Sequence, residues 1–143
     1  MFMKIILAVF VMLGFLGFYA NPMVEATDNP ISVENHSAYT KITPEQAKAI
    51  MDDETSNCII IDVRSLDEYN SGHTPNAVSL PNETITSDNP QVTAILPDKD
   101  QTILVYCRSG KRSKQASDKL VALGYTNICD IGGIMNWPYE VVK

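Results

Sequence analysis

The stretch Tyr106-Cys107-Arg108-Ser109-Gly110-Lys111-Arg112-Ser113 sets one cysteine ahead of a glycine and three cations, and Lys114 adds a fourth. The chain carries 11 Lys and Arg in 143 residues at a net charge of −6, yet four of those cations fall within 108–114. A thiolate is the nucleophilic form of cysteine, and nearby cations or a helix N-terminus favour it. The same cations attract an anionic substrate. Together these residue types point to covalent chemistry on an anion, with Cys107 attacking. A buried cysteine followed by a merely solvated basic helix start would leave four cations crowded at the positive end of a helix without a reason.

The elements that must hold this loop are legible on either side of it. Thr102–Tyr106 is a β-branched, apolar run that reads as a buried strand with Cys107 at its carboxyl end. After Ser113, the residues Ala116, Leu120 and Leu123 recur at helical spacing, and Gly124 is a C-terminal cap. A second buried strand, Cys58–Val63, ends where charges appear in Asp62-Val63-Arg64-Ser65. Thr43 with Gln46, and Ser65 with Glu68, are capping boxes that open two further helices, and Pro44 sits at the first position of one of them. Ala77–Pro81 reads as a short strand near an edge, because of Pro81. Gln91–Leu96 fits a short helix, Tyr125–Ile131 a last strand, and Lys41-Ile42 a short first one. Strands and helices alternate, which predicts an α/β fold with a parallel sheet. Ligands of such sheets bind off the carboxyl ends of the strands, where Asp62–Arg64 and Cys107–Ser113 both lie.

The acidic balance excludes a general nucleic-acid binder, which needs a broad basic surface. Ile5–Ala20 is an uncharged apolar run after Lys4, short for a membrane span and suited to a secretory signal. Residues 1–26 are therefore read as a signal peptide cut after Ala26, with an uncleaved anchor as the alternative; residues 27–40 as a polar linker or arm; and residues 41–143 as the domain. A periplasmic or secreted location follows. The three cysteines, Cys58, Cys107 and Cys129, are too few and uneven for a disulfide framework.

The segment Cys107–Ser113 resembles the active loop of the rhodanese family of sulfurtransferases. Ile60–Arg64 resembles that family's strand ending in Asp-Val-Arg, and Glu68–Ala77 its Glu-aromatic-x-x-Gly-His-Ile-Pro-Gly-Ala stretch, with Thr74 and Asn76 as departures. Gly124-Tyr125, Gly132-Gly133 and Trp137 match its C-terminal signature, so the likeness covers Ile42–Trp137. It implies a rhodanese-like, mostly parallel five-stranded sheet flanked by helices. It also implies sulfur transfer from thiosulfate or a related anionic donor to a thiol or cyanide, through a persulfide on Cys107, with no metal or organic cofactor. Arg108, Ser109, Gly110, Lys111, Arg112 and Ser113 would bind the donor and cradle the persulfide. Asp62 would hydrogen-bond the active loop, Arg64 would form an ion pair or orient loops, His73 would be positional, and Trp137 would pack.

Two other readings compete. A dual-specificity phosphatase loop needs an Arg six residues after its cysteine; here that place holds Ser113, and Arg112 comes one residue early. Non-catalytic rhodanese-like modules usually lack the cysteine that this chain keeps. A Cys58–Cys129 disulfide is disfavoured, because the family's strand order puts the Cys107 strand between theirs, and two strand spacings are about 9.6 Å.

Overall fold

In the computed structural model, residues 37–143 are described. The segment 1–26 and residues 27–36 of the arm lie outside them. The run expected around Cys58–Val63 forms β2 (Ile59–Asp62), and the run ahead of the active loop forms β4 (Ile103–Cys107), in which every residue is buried. They pair in parallel, Ile59 with Ile103 through Asp62 with Tyr106. On the other side of β4 lies β5 (Ile128–Gly133), in register from Ile103–Ile128 to Cys107–Gly133, with a shift between Val105 and Tyr106. The edges are β1 (Tyr39–Lys41), against β5, and β3 (Val78–Ser79), against β2. The sheet order is β1-β5-β4-β2-β3, parallel throughout.

Side chains of the central strands alternate between two cores. Ile61, Val63, Ile103, Val105 and Cys107 face one that also takes Ala116, Leu120 and Tyr125. Ile60, Leu104, Tyr106 and Cys129 face the other, with Ala47. Helix α1 (Pro44–Asp52) covers the second core and starts on the Thr43–Gln46 capping box. Helix α2 (Leu66–Ser71) starts on the Ser65–Glu68 box, and α3 (Pro90–Ile95) is capped by Asn89. Helix α4 (Lys111–Ala122) covers the first core. Asn82 ties it down, donating to Gln115 and accepting from Lys119 Nζ.

Element ends shift by one to three residues from the sequence reading, and two of the shifts have a visible cause. Strand β1 begins at Tyr39, inside the stretch read as an arm, because Tyr39 donates its hydroxyl to the buried Asp130 carboxylate at 2.8 Å. Strand β5 begins at Ile128, three residues after Tyr125. Tyr125 instead enters the core from the turn after Gly124 and donates its hydroxyl to Leu96 O. Cys58, Cys107 and Cys129 are all free thiols; Cys58 immediately precedes β2, Cys129 lies on β5, and β4 runs between those two strands.

Candidate active site

Cys107 is the last residue of β4, 1% exposed. The chain then turns through Arg108–Gly110 into α4. Gly110 caps that helix with φ +106, a conformation glycine adopts without strain. The turn aims the Gly110 N–H at the sulfur: it donates to Cys107 Sγ at 3.0 Å. Among the described residues no side chain caps α4. The first N–H groups of a helix have no intrahelical partner and carry its positive pole, so an anion is favoured there. Ser113 is fully buried and donates its hydroxyl to Gly110 O, which locks the turn.

The roof of this loop rests on β5. A side chain at Gly133 would bring its Cβ to 2.3 Å from Arg108 O and 2.7 Å from Ser109 Cα. Met135 N donates to Arg108 O from the short turn that follows. The Gly132-Gly133 pair in the sequence thus marks a place where the active-loop backbone lies on another strand.

The four cations divide into two kinds. Arg108 and Lys111 are exposed and make no ion pair among the described residues. Arg112 is paired: its two terminal nitrogens donate to Glu68 Oε2 and Oε1 at 2.7 and 3.0 Å. The Arg112 hydrogen bond holds the Glu68 carboxyl down at about 2, against an ordinary 4.5. Arg112 is itself pushed up, first by Glu68 and to a lesser degree by the charges of Cys107 and Asp62. Lys114 pairs with Asp118 and lies 4.5 Å from the Tyr39 ring centre. Half of the crowded positive charge is therefore neutralised by carboxylates, a fact the linear sequence hides. Glu68 is the partner of the loop cations that sequence reasoning missed; its capping-box role was legible, its contact with a helix 44 residues on was not.

The expected bond from Asp62 to the active loop is not made. Among the described residues the Asp62 carboxylate accepts only from Arg64, through its backbone N–H, Nε and NH2. Both residues are buried, and Arg64 also donates to Gly72 O at 2.6 Å. Arg64 thus holds the 72–74 loop to the end of β2, as an orienting ion pair should. Tyr106 is part of the same group: it accepts from Thr74 N, and burial beside Asp62 raises its hydroxyl to about 12. His73 stacks on Tyr69, with its Nδ1 3.0 Å from Tyr69 O, and among the described residues has no acid partner of a catalytic triad. Trp137 packs against the second core. No cluster of His, Cys, Asp and Glu suited to a metal occurs among the described residues.

The profile of the rhodanese-like domain family matches residues 43–139. The chain belongs to that family. Among relatives of this rhodanese-like domain, the thiosulfate sulfurtransferase PspE of Escherichia coli K12 is 32% identical over 83 residues, 58% of this chain and 77% of its own. The tRNA uridine(34) hydroxylase of Erwinia tasmaniensis is 33% identical over 113 residues, 78% of this chain but 31% of that protein. Among solved structures, a rhodanese with anions from E. coli superposes with a TM-score of 0.55 at 31% identity, covering 60% of this chain and 98% of that one. The BH2092 protein of Bacillus halodurans superposes at 0.62 with 27% identity, covering 71% and 75%. The rhodanese-like fold expected from the sequence, and membership of a sulfurtransferase family, both stand.

Proposed function

We propose that the protein is a sulfurtransferase that moves a sulfane sulfur from thiosulfate or a related anionic donor to a thiol or cyanide, through a persulfide on Cys107. The observation that carries this is the Gly110 N–H on Cys107 Sγ at 3.0 Å, at the uncapped N-terminus of α4. The Cys107 thiolate attacks the outer sulfur of thiosulfate, and the S–S electron pair leaves with sulfite. An acceptor thiolate or cyanide then takes the outer sulfur of the persulfide, and Cys107 departs as thiolate. The loop amides stabilise the anionic sulfur in each step. Arg108 and Lys111 draw in the donor, with Arg112 behind them. Ser109, Gly110 and Ser113 shape the loop, and Asp62 with Arg64 fixes the ends of the neighbouring strands. The name of the E. coli relative supports thiosulfate as donor. The reaction uses no metal or organic cofactor. Residues 1–26 act as the export signal, so the enzyme works in the periplasm or outside the cell. The test is a thiosulfate:cyanide assay on the wild type beside Cys107→Ala: turnover only in the wild type supports the reading, and equal rates in both refute it.

A further inference from the structure

Glu68 sits on the anion-binding fork of the site. A guanidinium offers two parallel N–H donors to a carboxylate or another oxyanion. In this protein both terminal nitrogens of Arg112 are given to Glu68, Oε2 at 2.7 Å and Oε1 at 3.0 Å. The carboxylate is pinned from behind: Oε2 also accepts from Ser65 N at 2.9 Å and Ser65 Oγ at 3.1 Å. The pair lies at the surface, with the Arg112 and Glu68 side chains 34% and 31% exposed, so solute reaches it. Arg112 lies in the first turn of α4, directly after the loop that carries Cys107.

We propose that Glu68 is a specificity-determining residue: it occupies the Arg112 fork in the resting site, so an anionic donor must displace this carboxylate before it can use Arg112. This rests on the donor-binding role argued above. Arg108 and Lys111 then provide the initial attraction, and donors that leave the Glu68–Arg112 pair intact are favoured over small dianions.

The substitution Glu68→Gln tests this without removing the cap, because glutamine also closes a capping box. The readout is the ratio of Cys107 alkylation rates with iodoacetate and iodoacetamide. The same thiolate attacks the carbon of both reagents and expels iodide, so a change in thiol acidity cancels and only the handling of the anion remains. Glu68→Gln is expected to raise the ratio by about two- to tenfold at low ionic strength, with the gain shrinking in high salt, as for partly exposed charges. Glu68→Asp, which keeps the charge, should stay within about twofold of the wild type. In an Arg112→Ala background the gain should vanish, since no fork is left to release. An unchanged or lowered ratio in Glu68→Gln, or an equal gain without Arg112, overturns the proposal. The thiosulfate KM, read beside it, separates the two claims. A raised alkylation ratio with no sulfur transfer in any variant keeps the fork and sinks the sulfurtransferase reading; an unmoved ratio in an active enzyme sinks the fork alone.

Discussion

The Cβ that Gly133 lacks would stand 2.3 Å from the carbonyl oxygen of Arg108. Gly133 has φ −116, which any residue adopts, so only the close approach of the active loop demands glycine here. Gly124 is the reverse case: its φ is +95, and among the described residues nothing lies within 4 Å of its missing Cβ. Gly133→Ala is expected to lose about 1–3 kcal/mol of stability from overpacking. It should also lose on the order of a hundredfold in sulfur-transfer rate, as the loop carrying the reactive sulfur is pushed aside. Gly124→Ala should lose about 1–2 kcal/mol from backbone strain and keep its activity. Denaturant melts and kcat on both variants check this; a fully active Gly133→Ala would mean that the loop does not need its seat on β5.

Breaking the Asp62–Arg64 pair leaves a charge buried without a partner. Asp62 is fully buried and Arg64 6% exposed. Arg64→Ala is expected to cost about 3–5 kcal/mol and to free the 72–74 loop, whose Gly72 carbonyl Arg64 holds. Urea unfolding gives the first number, and hydrogen exchange at His73 and Thr74 the second. A loss below about 1 kcal/mol, the size of an exposed pair, would contradict a buried one.

Acid should reach the Glu68–Arg112 pair late. The Glu68 carboxyl lies at about 2 in the folded protein, below its ordinary 4.5. A depressed folded value means that the native state favours the ionised form, so the stabilisation is whole above pH 4.5 and is lost as pH falls towards 2. The wild type should therefore exceed Glu68→Gln in stability by a constant margin above pH 4.5, and the margin should shrink below it. It will be modest, since both side chains are about a third exposed and water screens them. A margin that does not change between pH 5 and 2 would show that the carboxylate charge contributes nothing.

Thr74 departs from the family's usual isoleucine, and its hydroxyl is buried with no hydrogen-bond partner among the described residues. Thr74→Val removes the orphan group while keeping the shape. It should raise stability by about 1 kcal/mol, the low end of the penalty for an unpaired buried polar group. A lower melting temperature for Thr74→Val would show that the hydroxyl has a partner after all.

The sheet could be read from the sequence where strands are buried on both faces. Ile59–Asp62 and Ile103–Cys107 are β-branched and apolar without alternation, and each breaks into charge where the strand ends. Both capping boxes were legible for a local reason: donor and acceptor lie three residues apart. What escaped depends on distant partners. Tyr39 joins the sheet through Asp130, 91 residues away. Arg112 looked like a free anion binder because its partner Glu68 lies 44 residues earlier in another helix. Asp62 and Arg64 are near neighbours, and they satisfy each other before either can reach the active loop.

The proposed reaction turns on a sulfur atom carried by Cys107. The direct measurement is the intact mass of the reduced protein after thiosulfate alone, with Cys107→Ala beside it and cyanide added last. With a persulfide intermediate, one added sulfur atom is expected on the wild type, none on the variant, and its loss to cyanide as thiocyanate appears. A wild type of unchanged mass in a folded, reduced sample, or the same added sulfur on Cys107→Ala, would contradict it.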